Sequence, residues 1–91
     1  MRSVRLTIIG RVQGVGYRMW AERTGVALGL RGWVRNRMDG SVELQATGGD
    51  EAIAKLIEAC RQGPRAATVT DVTISKVEDD GSTDFNARPT A

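Results

Sequence analysis

Residues 31–47 read RGWVRNRMDGSVELQAT, and this stretch decides the fold. Its two halves, residues 31–38 and 41–47, have the composition of β-strands, and in the second half apolar and polar residues alternate. Asp39-Gly40 stands between the halves, and this dipeptide is the strongest short signal for a β-hairpin. The stretch therefore predicts two neighbouring antiparallel strands joined by a tight turn.

A helix is predicted on each side of this hairpin. The first covers residues 18–28, and Gly29 is a natural stop for it. We expect its apolar face to consist of Trp20, Thr24, Ala27 and Leu28. The second helix follows Gly48-Gly49-Asp50 and ends at Gly63-Pro64. Its apolar residues follow the i, i+3, i+4, i+7 spacing of a helix: Ile53, Leu56, Ile57 and Cys60.

Strands are also predicted near the two ends of the chain. Apolar and polar residues alternate over residues 4–8, which indicates a half-buried strand. The last strand covers residues 68–77, and the phase of its apolar residues slips between Val69 and Val72, which indicates a β-bulge. The resulting order is βαββαβ. Its simplest arrangement is a ferredoxin-like α+β sandwich, an antiparallel sheet with two helices on one face.

Composition narrows the function classes. The chain has 91 residues, enough for one domain with one core, and no apolar stretch approaches the ~20 residues that span a bilayer. The sequence has no histidine and a single cysteine, Cys60, which we expect to be buried on the second helix. These counts argue strongly against a structural zinc site, and they exclude a mechanism that needs an imidazole base. One unpaired cysteine fits a reducing compartment, so we expect a cytoplasmic protein.

Charge is distributed unevenly along the chain. Residues 1–38 contain eight arginines and one acid, whereas residues 39–91 contain five basic and ten acidic side chains. A positive half attracts anions in general, whether nucleic acid, membrane or a small phosphorylated molecule. Charge alone does not choose among these partners.

The predicted fold brings one glycine-rich loop next to the end of the second strand. Strands one and two run in the same direction, and with the third strand between them they end about 10 Å apart at one edge. The loop 11–17 leaves the first strand there, Arg18 begins the helix behind it, and Asn36 lies near the end of the second strand. Gly14 and Gly16 let backbone N–H groups turn inward, and the helix N-terminus adds positive charge. We therefore predict a phosphate-sized anion site, to which Arg18 contributes charge-assisted hydrogen bonds of about 1.5–3 kcal/mol each.

Two segments resemble the signature motifs of the acylphosphatase family. Residues 10–18, GRVQGVGYR, resemble the first motif, G-x-V-Q-G-V-x-aromatic-R. Residues 32–48 resemble the second, G-aromatic-V-x-N-x-x-x-G-x-V-x5-G. The resemblance extends over residues 4–77, and it implies a ferredoxin-like fold and a single acylphosphatase-like domain over residues 1–91.

The resemblance also implies an activity and the residues that perform it. Members of the family hydrolyse the carboxyl–phosphate bond of acyl phosphates to a carboxylate and inorganic phosphate, without metal, cofactor or covalent intermediate. Arg18 would bind the phosphate and Asn36 would position the attacking water. The backbone cradle would comprise Gln13, Gly14, Val15, Gly16, Tyr17 and Arg18. The implied partners are a small acyl phosphate and inorganic phosphate, the latter as product and competitive inhibitor, for a monomer that binds neither nucleic acid nor membrane.

The end of the chain departs from the family pattern. Family members usually end in a short strand of the F-x-I-R kind, whereas residues 85–89 read FNARP. We therefore expect a weakly structured tail over residues 78–91, with room for a short edge strand at residues 85–88.

Two other functions stay open beside hydrolysis. The first is a module that binds phosphate or carbamoyl phosphate without turnover, as in hydrogenase-maturation carbamoyltransferases, although this chain keeps both Arg18 and Asn36. The second is a nucleic-acid binder, because RNA-recognition domains share this strand order. Such domains stack bases on aromatic residues of the open sheet face, and the predicted inner strands, residues 4–9 and 41–47, contain none. Trp33, on the second strand, could line the site or pack on the sheet, and we expect it to pack.

Overall fold

The computed structural model describes all 91 residues. Seven elements follow one another along the chain: β1 (Arg2–Arg11), α1 (Tyr17–Ala27), β2 (Arg31–Asn36), β3 (Val42–Gly48), α2 (Asp50–Gln62), β4 (Thr68–Lys76) and β5 (Phe85–Ala87). The strands form one sheet in the order β4-β1-β3-β2-β5, so β3 lies between β1 and β2 as predicted. Neither helix is long and apolar enough to cross a membrane.

The first four strands pair in antiparallel fashion, and the ferredoxin-like α+β fold is confirmed. The sheet as a whole is mixed, because the short edge strand β5 pairs with β2 in parallel. The chain reaches the far edge of the sheet after β4 and then runs in the same direction as β2. This pairing covers the backbone hydrogen-bonding groups that β2 would otherwise expose at an edge.

The predicted bulge lies between β1 and β4. Ile9 pairs with Asp71 and Gly10 pairs with Val69, so Thr70 has no partner across the ladder. The hydroxyl of Thr70 instead donates to the carbonyl oxygen of Ile9 at 3.0 Å. The irregularity falls where the phase of apolar residues slips in the sequence, which confirms the prediction.

One core fills the space between the sheet and the helices. Strands β1 and β3 each contribute alternate residues that are at most 1% exposed: Val4, Leu6, Ile8, Val42, Leu44 and Ala46. From α2 the buried residues are Ile53, Leu56 and Cys60, which confirms the apolar stripe predicted for this helix. Burial also raises the pKa of the Cys60 thiol to about 11, so the thiol stays protonated near neutral pH.

The apolar face predicted for α1 was right only in part: Trp20 and Leu28 pack against the core, but they are not its most buried residues. The buried residues of α1 are Tyr17, Ala21 and Gly25, whereas Ala27 is exposed. Gly25 is buried because α1 packs closely against β5. A Cβ atom on Gly25 would lie only 2.6 Å from the ring of Phe85. Only glycine permits this close approach between α1 and β5.

The tail after β4 is more firmly attached than the sequence suggested. Arg31 donates to Asp79 at 2.8 Å and to the carbonyl oxygen of Ser82 at 2.7 Å. The Arg31 hydrogen bond is the main cause that lowers the pKa of Asp79 below its usual range. The indole N–H of Trp33 donates to Asp80 at 3.0 Å. These partners are remote in sequence, which is why composition alone predicted a weakly structured segment.

Trp33 packs on the open face of the sheet and is 4% exposed, as predicted. The guanidinium groups of Arg35 and Arg88 each lie 4.8 Å from the centre of its ring, and that of Arg5 lies at 5.8 Å. We call Arg5, Arg35, Arg88 and Trp33 the open-face cluster. It places three guanidinium groups on the side of the sheet opposite the helices, and that of Arg35 is paired with Glu43 at 2.8 Å.

Candidate active site

The loop between β1 and α1 has the backbone of an anion-binding turn. Gly14 and Gly16 adopt φ angles of 72° and 81°, which L-residues rarely adopt. A Cβ atom on either would meet nothing within 4 Å, so these glycines serve the backbone conformation and not close packing. Left-handed residues in such a loop turn successive N–H groups toward one concavity.

The donors at the start of α1 are free. The backbone N–H groups from Gln13 to Met19 donate to no acceptor in the chain. The helix has no side-chain cap at Gly16 and no acidic residue in its first turn. A helix N-terminus carries about half a positive charge. Unused amides and a helix dipole thus combine at one place, which suits an anion.

A depression of about 290 Å³ opens at this place. Seven residues line it: Val12, Gly14, Gly16, Tyr17, Arg18, Met19 and Asn36. The fold therefore brings Arg18 and Asn36, which were predicted from different motifs, to the same depression. Of the six predicted cradle residues, Gln13 and Val15 do not line it, and the side chain of Val15 packs against the core.

The guanidinium of Arg18 keeps its charge available. It forms no ion pair with a carboxylate. Its Nη1 donates to the carbonyl oxygen of Arg88 at 3.2 Å, so the end of the tail helps to orient the side chain. A guanidinium has five N–H donors, and this contact leaves most of them for a ligand.

Asn36 is the last residue of β2 and lies on the helix side of the sheet, on the same face as buried Val34. Its Oδ1 is buried and has no hydrogen-bond partner. A buried polar atom without a partner costs about 1–3 kcal/mol, and such atoms are rare. The Asn36 backbone is fixed, because its carbonyl oxygen accepts from the N–H of Ala91 at 3.0 Å.

The side chain of Gln13 joins the loop to the β2–β3 hairpin. Its Nε2 donates to the carbonyl oxygens of Arg37 at 2.6 Å and Ser41 at 2.8 Å. Arg37 follows Asn36 directly, so this amide sets the distance between the loop and Asn36. Sequence reasoning assigned only the backbone of Gln13 to the site. It missed the side chain because nothing local indicates where a loop glutamine points.

Tyr17 anchors the start of α1. Its hydroxyl donates to the carbonyl oxygen of Cys60 at 2.7 Å, and its ring meets Trp20 edge-on at 5.2 Å between centroids. Burial is the main cause that raises the pKa of Tyr17 above its ordinary value, so the phenol remains protonated. Arg18 follows Tyr17 on α1. The hydrogen bond from Tyr17 to α2 therefore also fixes the position of the Arg18 backbone.

These observations define a class of protein: a small ferredoxin-like domain with a main-chain anion site, one free guanidinium and one unpartnered buried amide. The family model for acylphosphatases matches residues 4–87. The acylphosphatase of Mesorhizobium japonicum is 48% identical over 77 residues, which are 85% of this chain and 82% of that protein.

Solved structures give the same result. Acylphosphatase from Bacillus subtilis has a TM-score of 0.93 at 35% identity, over 97% of this chain and 99% of that one. An acylphosphatase from Coxiella burnetii has a TM-score of 0.92 at 34% identity, over 96% and 92%. The chain belongs to the acylphosphatase family. Family membership makes it a hydrolase that acts on acyl phosphates.

Proposed function

We propose that this protein hydrolyses the carboxyl–phosphate bond of acyl phosphates by direct attack of water on phosphorus. Arg18 and the backbone of residues 13–18 hold the phosphoryl group, and Asn36 positions the water. One observation carries the proposal. Arg18, which has no carboxylate partner, the residues at the start of α1, whose N–H groups are unused, and Asn36, whose Oδ1 has no hydrogen-bond partner, all line one depression.

The site is suited to bind the phosphoryl group of the substrate. The phosphoryl oxygens accept hydrogen bonds from the loop N–H groups and from the planar fork of Arg18. These donors are in place before the substrate arrives, so little reorganisation accompanies the build-up of charge in the transition state. Preorganised donors of this kind commonly provide the largest single term in catalysis.

Asn36 positions the water molecule that acts as the nucleophile. Its side-chain amide lines the depression, forms a hydrogen bond with a water molecule and thereby aims the water oxygen at phosphorus. A bond forms between that oxygen and phosphorus, and the bond between phosphorus and the acyl oxygen breaks. The bonding pair leaves with the carboxylate, and the water proton passes to a phosphoryl oxygen. Since a carboxylate is a good leaving group, orientation and charge stabilisation suffice without a strong base.

The side chains near the site support water over a protein nucleophile. Cys60 is fully buried, and its raised pKa keeps it a thiol. Tyr17 is buried, and its hydroxyl is engaged with a carbonyl oxygen. A covalent intermediate on either group is therefore disfavoured.

The setting that we propose is a monomeric cytoplasmic enzyme that acts on small acyl phosphates. Its one cysteine is buried and unpaired, as is usual in a reducing compartment. Inorganic phosphate carries the same oxygens as the transferred group. We therefore propose that it binds the same donors and inhibits competitively.

The purified protein is expected to hydrolyse benzoyl phosphate at an undiminished rate in EDTA. No group of three or more His, Cys, Asp or Glu side chains is placed to hold a metal ion, and the proposed steps use only Arg18, Asn36 and backbone donors. The measurement is the absorbance change of benzoyl phosphate with and without chelator. Binding of phosphate without any turnover would instead support the module that binds and does not hydrolyse.

Gln13→Ala is expected to lower kcat/KM about tenfold to a hundredfold, because the loop and Asn36 lose the amide that joins them. The same change removes two hydrogen bonds to the carbonyl oxygens of Arg37 and Ser41, which keep the backbone N–H groups of Gly40 and Arg37 as donors. It should cost about 0.5–1.5 kcal/mol of unfolding free energy for each bond. Steady-state kinetics and urea unfolding measure the two effects. Gln13→Glu matches the size of the side chain but cannot donate, and it should behave in the same way. Full activity in Gln13→Glu would contradict the positioning role.

A further inference from the structure

The apolar surface offered by the depression belongs almost entirely to Met19. Three apolar side chains line the depression, and two of them, Val12 and Tyr17, are each 1% exposed. Met19 is 59% exposed. The remaining lining consists of two glycines, Arg18 and Asn36. A ligand in the depression therefore meets one accessible apolar side chain.

Met19 lies directly beside the phosphate-binding arginine. It follows Arg18 on the first turn of α1, and the Nη2 of Arg23, one turn later, lies 3.4 Å from its sulfur. Val26 on the same helix is similarly exposed, at 60%, but lines no part of the depression. Exposure alone therefore does not distinguish Met19, whereas its place beside the phosphate-binding arginine does.

We propose that Met19 contacts the acyl group and makes the site prefer acyl phosphates with an apolar, aromatic acyl group over those with a small one. This inference rests on the proposed function. With the phosphoryl group held by Arg18 and the loop, the acyl group extends over the lining of the depression, where Met19 supplies the apolar surface. A thioether is flexible and polarisable and makes favourable contacts with aromatic rings.

The test compares benzoyl phosphate, which carries a ring, with acetyl phosphate, which carries only a methyl group. In Met19→Ala the kcat/KM ratio of benzoyl to acetyl phosphate is expected to fall about three- to tenfold. Met19→Gln keeps the length of the side chain but is polar, and it should show the same fall. Met19→Leu keeps the apolar volume and should retain the ratio. Val26→Ala is the matched control and should change nothing.

Inorganic phosphate separates the acyl contact from the phosphate site. It has no acyl group, so its inhibition constant is expected to stay unchanged in every Met19 variant. An unchanged substrate ratio in Met19→Ala would overturn the inference, and so would an equal loss on both substrates together with weaker phosphate inhibition. Absence of turnover of both substrates by the unmodified enzyme would instead overturn the proposed function, and the inference with it.

Discussion

Asn36→Ala is expected to lower kcat by about a hundred- to a thousandfold while inhibition by inorganic phosphate persists. The amide is assigned to the water and not to the phosphate, so its removal should leave the Arg18 and loop donors intact. Its Oδ1 has no partner in the chain, and truncation therefore breaks no internal hydrogen bond of the side chain. The measurement is kcat for benzoyl phosphate together with the inhibition constant of phosphate.

Asn86→Ala provides the matched control for this variant. Asn86 is exposed on β5, and its amide meets only the neighbouring Asp84. This control should keep full turnover. If phosphate affinity collapsed in Asn36→Ala along with turnover, Asn36 would have a structural role and the assignment of the water would fail.

Arg18→Lys is expected to lower kcat/KM and phosphate affinity about a hundredfold each, although the positive charge is kept. An ammonium cannot form the two parallel hydrogen bonds that a guanidinium makes to a phosphoryl group. Each charge-assisted hydrogen bond contributes about 1.5–3 kcal/mol, and the loss of one such bond accounts for the expected effect. Steady-state kinetics and phosphate inhibition measure both quantities.

Arg61→Lys is the matched control for Arg18→Lys. Arg61 is exposed in the last turn of α2 and lines a different part of the surface. It should leave both constants unchanged, which would show that the loss in Arg18→Lys is local. Near-normal kinetics in Arg18→Lys would remove Arg18 from its role.

The central part of the fold was predictable because its signals are local. Asp39-Gly40 indicates a turn without knowledge of the rest of the chain, and period-two alternation indicates which strand residues face the core. The stripe of α2 has the period of a helix that packs on one face only. Such patterns depend on neighbours a few positions away, and the structure confirms them.

The remaining features depend on contacts between residues that are remote in sequence. The face of α1 is set by the ring of Phe85 against Gly25, and no pattern within the helix predicts that contact. The tail is attached through Arg31 and Trp33, whose partners come about 50 positions later. These interactions follow only once the sheet order is known.

The candidate site likewise has features that the sequence predicts and features that it does not. Gly14 and Gly16 indicate an anion-binding turn, and the fold prediction placed Asn36 at the same edge of the sheet. The side-chain contacts of Gln13 and the exposed place of Met19 were not predictable, because both depend on how the loop meets the hairpin. The anion-binding backbone was thus predictable from the sequence. The contacts and exposure of the side chains around it became known only from the structure.

The most direct test is a titration of the 15N-labelled protein with inorganic phosphate, followed by NMR. Saturable shifts are expected at the backbone amides of residues 13–19, the Nε–H of Arg18 and the side-chain amide of Asn36. The open-face cluster is the other concentration of arginines on the molecule, and the indole N–H of Trp33 reports on it. Saturable shifts at Trp33 with none at residues 13–19 would show that phosphate binds elsewhere and would contradict the proposed site.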